Sequence, residues 1–256
     1  MRFCVLASGS KGNSTLIEAG DVRVLVDHGL STRELCRRLE AVETRPEAID
    51  AVIVTHEHTD HVRGLRVWRN RFGTPMYINP ATFAALPDNC RAKGPMNRFQ
   101  TGERFDIGDL EVYSFALPHD AADPVGLIFE YKGRRLGIAT DLGCVTELVR
   151  RRLDRVDAMI IESNHDSEML VNGPYPWPVK DRIRRKHGHL SNIQTAELLE
   201  QVSHPNLKAV VLAHMSENNN LPELAMSCAR QALNGQSATK IIMGRQRKIA
   251  EPVNLY

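Results

Sequence analysis

Apolar residues along the chain fall into short runs, most of them of strand length. Residues 3–8 (FCVLAS), 14–19 (STLIEA) and 22–27 (VRVLVD) are rich in Val, Ile and Leu. They are separated by SGSKGN and AGD, which read as turns. Residues 31–42 open with Ser and Thr and carry Leu35, Leu39 and Val42 at helical spacing, so this segment is expected to be a helix. A short buried strand is expected at 50–55, a helix at 61–71 and a strand at 75–78. Further strands are expected at 110–117, 124–131 and 135–140, with KGRR as the hairpin turn between the last two. Beyond them the pattern gives a helix at 145–153, a strand at 157–163 and a helix at 191–202, where Ser191 and Gln194 have capping-box spacing. Strands at 208–213 and 239–244 flank a last helix at 222–233. Helices and strands mix without strict alternation and no internal repeat is visible. The expectation is one α/β domain over residues 1–256, with two mixed sheets and helices outside. Residues 172–190 read as an insertion-like basic segment with three prolines in its first half.

Composition agrees with a folded globular chain. Of 256 residues 42% are apolar and 25% charged, enough apolar material to offset chain entropy. The net charge of +2 excludes a polycation that binds nucleic acid by bulk charge, but not a local basic face. No apolar stretch approaches the ~20 residues of a membrane span, and the N-terminal run is cut short by a Gly/Ser/Lys turn. Five scattered cysteines without a CxxC pair point to a reducing compartment. A cytoplasmic location without membrane partners is therefore expected; oligomeric state stays open.

The chemistry is concentrated in Thr55-His56-Glu57-His58-Thr59-Asp60-His61, placed between a strand and a helix. Three imidazoles and a carboxylate so close together are costly to bury unless something binds them. His56 and His58, two residues apart, can be aimed at one ion by an extended or turning backbone. Asp60 and His61 can reach a second ion beside it. Imidazole with carboxylate suits Zn, Mn or Fe. The plain alternative is a solvated polar loop. His119, Asp141 and His214 each follow a short apolar run, where strand ends present functional groups. Any one of them alone reads as an ordinary loop residue; together with the motif they form a constellation.

HEHTDH followed by a strand-end His, Asp and His resembles the metallo-β-lactamase fold superfamily. The resemblance implies an αββα sandwich with a two-metal site at one edge. His56, His58 and His119 would hold one ion, Asp60, His61 and His214 the other, and Asp141 would bridge them. Asp27, in VLVDHG, would orient a ligand or water from behind. ASGSKGNST, ESNHDSEML, GPYPWPVKDRIRRKHGHLSN and LAHMSENNN look like the YycJ/WalJ-like branch, which is similar to the superfamily's nucleases such as ribonuclease Z. That branch implies two divalent ions, Zn²⁺ or Mn²⁺, and 5′-to-3′ exonuclease action on DNA. His165 and His189 are additional histidines that could join the ligands.

Two divalent ions lower the pKa of water toward ~7 and offset charge on a phosphoryl group. The leaving alkoxide then needs a proton. His189, just before the helix that starts near Ser191, is the candidate donor, since a helix N-terminus favours anions and makes an imidazolium more acidic. With Asp60 and Asp27 it completes the catalytic candidates; a plain surface histidine is the alternative. The run 180–189 carries five fixed positive charges and one negative. Lys180, Arg182, Arg184 and Arg185 are its candidate phosphate contacts, against the alternative of a solvated helix face. Ser10, Lys11 and Asn13 sit in a Gly-rich turn that is not a P-loop. With Asn164, His165, Ser191 and Ser216 they complete the candidate substrate contacts; for the segment 164–166 a helix cap is the alternative. Aromatics are only 5% of the chain, which argues against a wide stacking platform, although Tyr175 and Trp177 could stack one end base. Two other readings compete. One is a hydrolase of small esters, thioesters or cyclic phosphodiesters on the same fold. The other is a non-catalytic DNA-binding module, which the full ligand set disfavours.

Overall fold

Strand β1 (Arg2–Ala7) shows how the layers are built. Phe3 and Val5 enter one apolar cluster while Cys4 and Leu6 enter another, so both faces of the strand are buried. The computed structural model describes residues 1–91, 94–233 and 238–256. β1 pairs antiparallel with β2 (Ser14–Ala19), and β2 with β3 (Val22–Val26). β3 then runs parallel to β4 (Ala51–Ile53), β4 to β5 (Met76–Ile78), and β5 to β6 (Met96–Arg98). The second sheet has the same plan. β7 (Arg104–Ile107), β8 (Leu110–Ala116), β9 (Val125–Tyr131) and β10 (Arg134–Ala139) are antiparallel neighbours. From β10 the pairing turns parallel through β11 (Ala158–Glu162), β12 (Ala209–Ala213) and β13 (Lys240–Met243). β14 (Val253–Asn254) returns to the outer edge of the first sheet beside β1.

One apolar cluster fills the space between the sheets, with Ile17, Val24 and Ile53 from one and Phe129, Ile138 and Val211 from the other. The outer face of the first sheet is covered by α1 (Thr32–Ala41) and α3 (Leu65–Phe72), through Leu35, Leu39 and Trp68. The second is covered by α5 (Glu147–Leu153), α8 (Asn192–Val202) and α9 (Pro222–Ala232), through Val149, Leu198 and Ala225. This is the expected two-sheet sandwich with helices outside. Among the described residues no helix is long and apolar enough to cross a membrane.

Every run expected to be a strand lies on one. The expected helix at 61–71 is instead two, α2 (Thr59–Val62) and α3, broken at Gly64. Gly64 N donates to His28 O at 3.0 Å, and a Cβ there would stand 2.1 Å from Leu30 O. The chain is pressed onto residues 28–30 at that point, which interrupts the helix. Three short helices were not expected or not resolved by periodicity: α4 (Pro80–Ala85), α6 (Ser167–Asn172) and α7 (Trp177–Arg184).

Strand ends set up the site. Asp27 follows β3, Thr55 and His56 follow β4, and His119 follows β8. Asp141 follows β10, Glu162 ends β11 and His214 follows β12. Asp27, Asp141 and His214 have φ of 63°, 62° and 51°. Such left-handed backbone is uncommon outside glycine, and Asp and His tolerate it better than most. Each turns its strand sharply, and the three side chains come to one edge of the sandwich.

Candidate metal centre

The loop after β4 is held by its backbone from outside. Asn13 N donates to Asp60 O at 2.8 Å and His28 N to His61 O at 2.7 Å. Gly29 packs so closely that a Cβ would lie 1.6 Å from Asp60 O, so only glycine fits there. With this loop fixed, three sets of nitrogen and carboxylate oxygen atoms each gather within 4.8 Å: His56–His58–His119, His56–His61–Asp141 and Asp60–His61–His214. Asp141 lies between them. Its Oδ2 is 3.3 Å from His61 Nε2, and its Oδ1 is 3.3 Å from His214 Nε2 and 4.0 Å from His119 Nε2.

Most of the histidines use one ring nitrogen for anchorage and present the other. His61 Nδ1 is 2.7 Å from Asp27 Oδ2, His119 Nδ1 is 3.1 Å from Gly188 O, and His56 Nδ1 is 3.1 Å from Thr55 Oγ1. Asp27 is itself fixed by Thr55, whose N and Oγ1 donate to it at 2.9 and 2.8 Å. A ligand held from behind in this way has its tautomer and ring orientation set. His56 Nε2 is buried without a hydrogen-bond partner, and Asp141 Oδ2 has only the His61 ring at 3.3 Å. An uncompensated buried donor or acceptor is costly, so these atoms fit a cation.

The charges agree. Burial alone would discharge His61 and His214, yet Asp141 and the other nearby carboxylates hold both well above the usual histidine range. Burial likewise opposes ionisation of Asp141, but His214 and His61 keep its carboxyl well below the usual range. Without an ion the two imidazolium rings balance the crowded acids; a divalent cation would take over that charge and leave the rings neutral, as ligation requires.

A fourth set joins Asp141 and His214 to two further residues, Glu162 and His189. Glu162 is fully buried, and the sequence reading did not single it out. Its Oε1 is 2.7 Å from His189 Nδ1 and 3.2 Å from His214 Nδ1, and its Oε2 accepts Leu142 N at 2.9 Å. Burial works against a charge on His189, but Glu162 outweighs it and raises the imidazole above its ordinary value. The greater acidity expected from the helix N-terminus is therefore overridden. Asp141, His189 and His214, but not Glu162, line a cavity of about 330 Å³, together with Ser10, Asp120, Val179 and Arg182.

Over residues 22–215 the chain matches the family described as the beta-lactamase superfamily domain. The chain belongs to this superfamily. It is 36% identical to exodeoxyribonuclease YycJ of Bacillus anthracis over 236 residues, covering 91% of this chain and 89% of that protein. It is 35% identical to exodeoxyribonuclease WalJ of Streptococcus pneumoniae over 229 residues, covering 88% and 85%. Its fold is that of the metallo-β-lactamase fold protein YhfI from Bacillus subtilis, with a TM-score of 0.74, 15% identity and 98% of each chain covered. As a member of this superfamily with such a donor set, the protein is a metal-dependent hydrolase with a divalent metal site.

The candidate substrate residues of this superfamily member are placed unevenly. Ser10 and Arg182 line the cavity. Asn13 Nδ2 donates to Asp60 Oδ2 at 3.1 Å and lies 3.0 Å from His61 Nε2. Lys11 pairs with Glu217, and Arg182 Nε donates to Asp120 Oδ2 at 2.6 Å. Lys180 turns inward, with Nζ donating to Val171 O at 2.7 Å and lying 5.1 Å from the Trp177 ring centroid. Arg184 and Arg185 are exposed and outside the cavity lining. Asn164 Nδ2 donates to His214 O at 2.7 Å, which fixes the turn that carries His214. Ser216 Oγ accepts Asn219 N at 3.1 Å. Ser191 caps α8 with the expected capping box. His165 is buried, which lowers its pKa to about 4, and it joins none of the metal-sized sets found among the described residues. Asp166 caps α6, so the cap weighed for this segment is present.

Proposed function

We propose that this superfamily member is an exonuclease that hydrolyses phosphodiester bonds of DNA from the 5′ end toward the 3′ end, using two Zn²⁺ or Mn²⁺ ions. His56, His58 and His119 would hold one ion and Asp60, His61 and His214 the other, with Asp141 shared. When bound, the ions supply a nucleophile at neutral pH and Lewis acidity toward the phosphoryl oxygens. The observation that carries the reading is His189, held from behind by the buried Glu162 and facing the same cavity as His58, Asp60, His119, Asp141, His214 and Arg182. The likeness to two exodeoxyribonucleases over about nine-tenths of the chain supports DNA as the polymer.

The chain's residues have distinct parts in this reaction. Glu162 accepts from His189 Nδ1 and favours its charged form, leaving the Nε2 proton for the departing sugar oxygen. Glu162 also fixes His214, so one buried carboxylate sets both the proton donor and a metal-facing ring. Asp27 and Thr55 hold His61 in register. Arg182, on the cavity wall, meets a phosphate.

The test is digestion of DNA and RNA, single- and double-stranded, labelled at either end, with Mn²⁺ or Zn²⁺ restored after chelation. The expected result is release of the 5′ label from DNA as the first product, abolished by chelator. Internal cuts, first release of the 3′ label, or faster loss of RNA than DNA would contradict it.

A further inference from the structure

Two ion pairs stand beside the cavity: Lys11–Glu217 joins two loops, and Arg182–Asp120 joins helix α7 to the loop after β8. Lys11 follows the lining residue Ser10, and its ammonium is paired with Glu217, three residues after His214. Arg182 is paired with Asp120, directly after His119, and both line the cavity. The side chains are open to solvent, 56% and 42% exposed for Lys11 and Glu217, 67% and 32% for Arg182 and Asp120. Exposed pairs of this kind add little to stability.

The loops do not need these pairs to keep their shape. Lys11 N donates to Gln246 Oε1 at 2.8 Å, Gln246 Nε2 returns a bond to Gly12 O at 2.9 Å, and Gly9 N donates to Asn13 Oδ1 at 2.8 Å. On the other side Asp120 N donates to His187 O at 3.0 Å, and His119 Nδ1 lies 3.1 Å from Gly188 O. The Lys11 and Arg182 side chains can therefore leave their carboxylates while the backbone stays in place.

We propose that Glu217 and Asp120 stand in for substrate phosphates, holding Lys11 and Arg182 ready at the rim, and that a nucleic-acid strand enters by displacing both carboxylates. This rests on the nuclease reading of the site and adds how the site selects its substrate. A polyanion offers phosphates to both cations at once; a small phosphodiester replaces one carboxylate at most. The resident acids thus disfavour small anions and leave the strand as the ligand that can satisfy both sides.

Glu217 lies outside the metal-sized sets and carries the test. Binding of a phosphorothioate oligodeoxynucleotide is measured for wild type, Glu217→Gln, Lys11→Met and the double variant over a range of salt. Glu217→Gln is expected to tighten binding roughly 2–5-fold, the usual worth of one exposed pair. It should also steepen the salt dependence by about 0.7 in log–log slope, since in wild type the displaced Glu217 takes up a cation that offsets one released from the strand, and Gln takes up none. In the Lys11→Met background the gain should vanish. An equal gain in both backgrounds would mean that only overall charge matters, and weaker binding by Glu217→Gln would mean that the pair supports the loops; either overturns the proposal. A wild type that degrades DNA while the variants are additive overturns only this proposal. A wild type that binds no oligonucleotide overturns the nuclease reading with it.

Discussion

His214 and Arg182 face the same cavity and are held in opposite ways. His214 is buried, its Nδ1 set by Glu162, its backbone turned by a left-handed φ and its carbonyl tied to Asn164. Arg182 is two-thirds exposed and rests on one carboxylate, Asp120. The first kind of residue has no freedom and can fix the reacting groups to a fraction of an ångström. The second can exchange its partner for a phosphate with little change in stability. The metal end thus sets the chemistry, and the rim sets what reaches it.

The sharpest way to break this comparison is to remove the carboxylate between the metal-sized sets. Asp141→Asn should lose metal and turnover together. The loss should exceed the roughly 10–100-fold that changing a residue behind a ligand costs. Metal content by elemental analysis and DNA turnover on one preparation check it; an unchanged rate would remove Asp141 from the centre.

His189 lies between the two regions. His189→Ala should keep metal and fold while DNA turnover falls by ~10²–10⁴, the usual worth of general acid catalysis. A nitrophenyl phosphodiester, whose leaving group departs without a proton, should lose much less. Equal loss on both substrates with metal retained would point to phosphate positioning, and loss of metal would make His189 a ligand.

The smallest effects belong to the arginines at 182–185. Arg182→Gln should weaken binding and lower the salt slope by about 0.7, the share of one contact with a single strand. Arg184→Gln with Arg185→Gln should change either by less, because neither residue lines the cavity. Salt titrations of all three variants check this; an equal slope change from the pair would extend the strand path beyond the cavity.

The same contrast governs what could be read from sequence. Residues 56–61 were legible because three imidazoles and a carboxylate so close together have few other uses, and the strand-end His119, Asp141 and His214 only in combination with that motif. Glu162 was hidden as the last residue of a fully buried strand. Its signal was an acid at the end of AMIIE, with nothing in sequence to say which ring it meets. Lys180 was read with its charged neighbours, yet its aliphatic stem lets it lie inward against Trp177 and Val171. Strands such as β4 and β11 were clear from continuous apolar runs. β7, with alternating charge and exposure, and the two-residue β14 carry too little pattern of their own and exist through their neighbours.

The most direct measurement of the central claim is a metal titration of the chelated protein, following bound ions and DNA turnover together. The account predicts two ions per chain, with turnover rising only as the second is filled. Full turnover with no ion bound, or saturation of turnover at one, would contradict it.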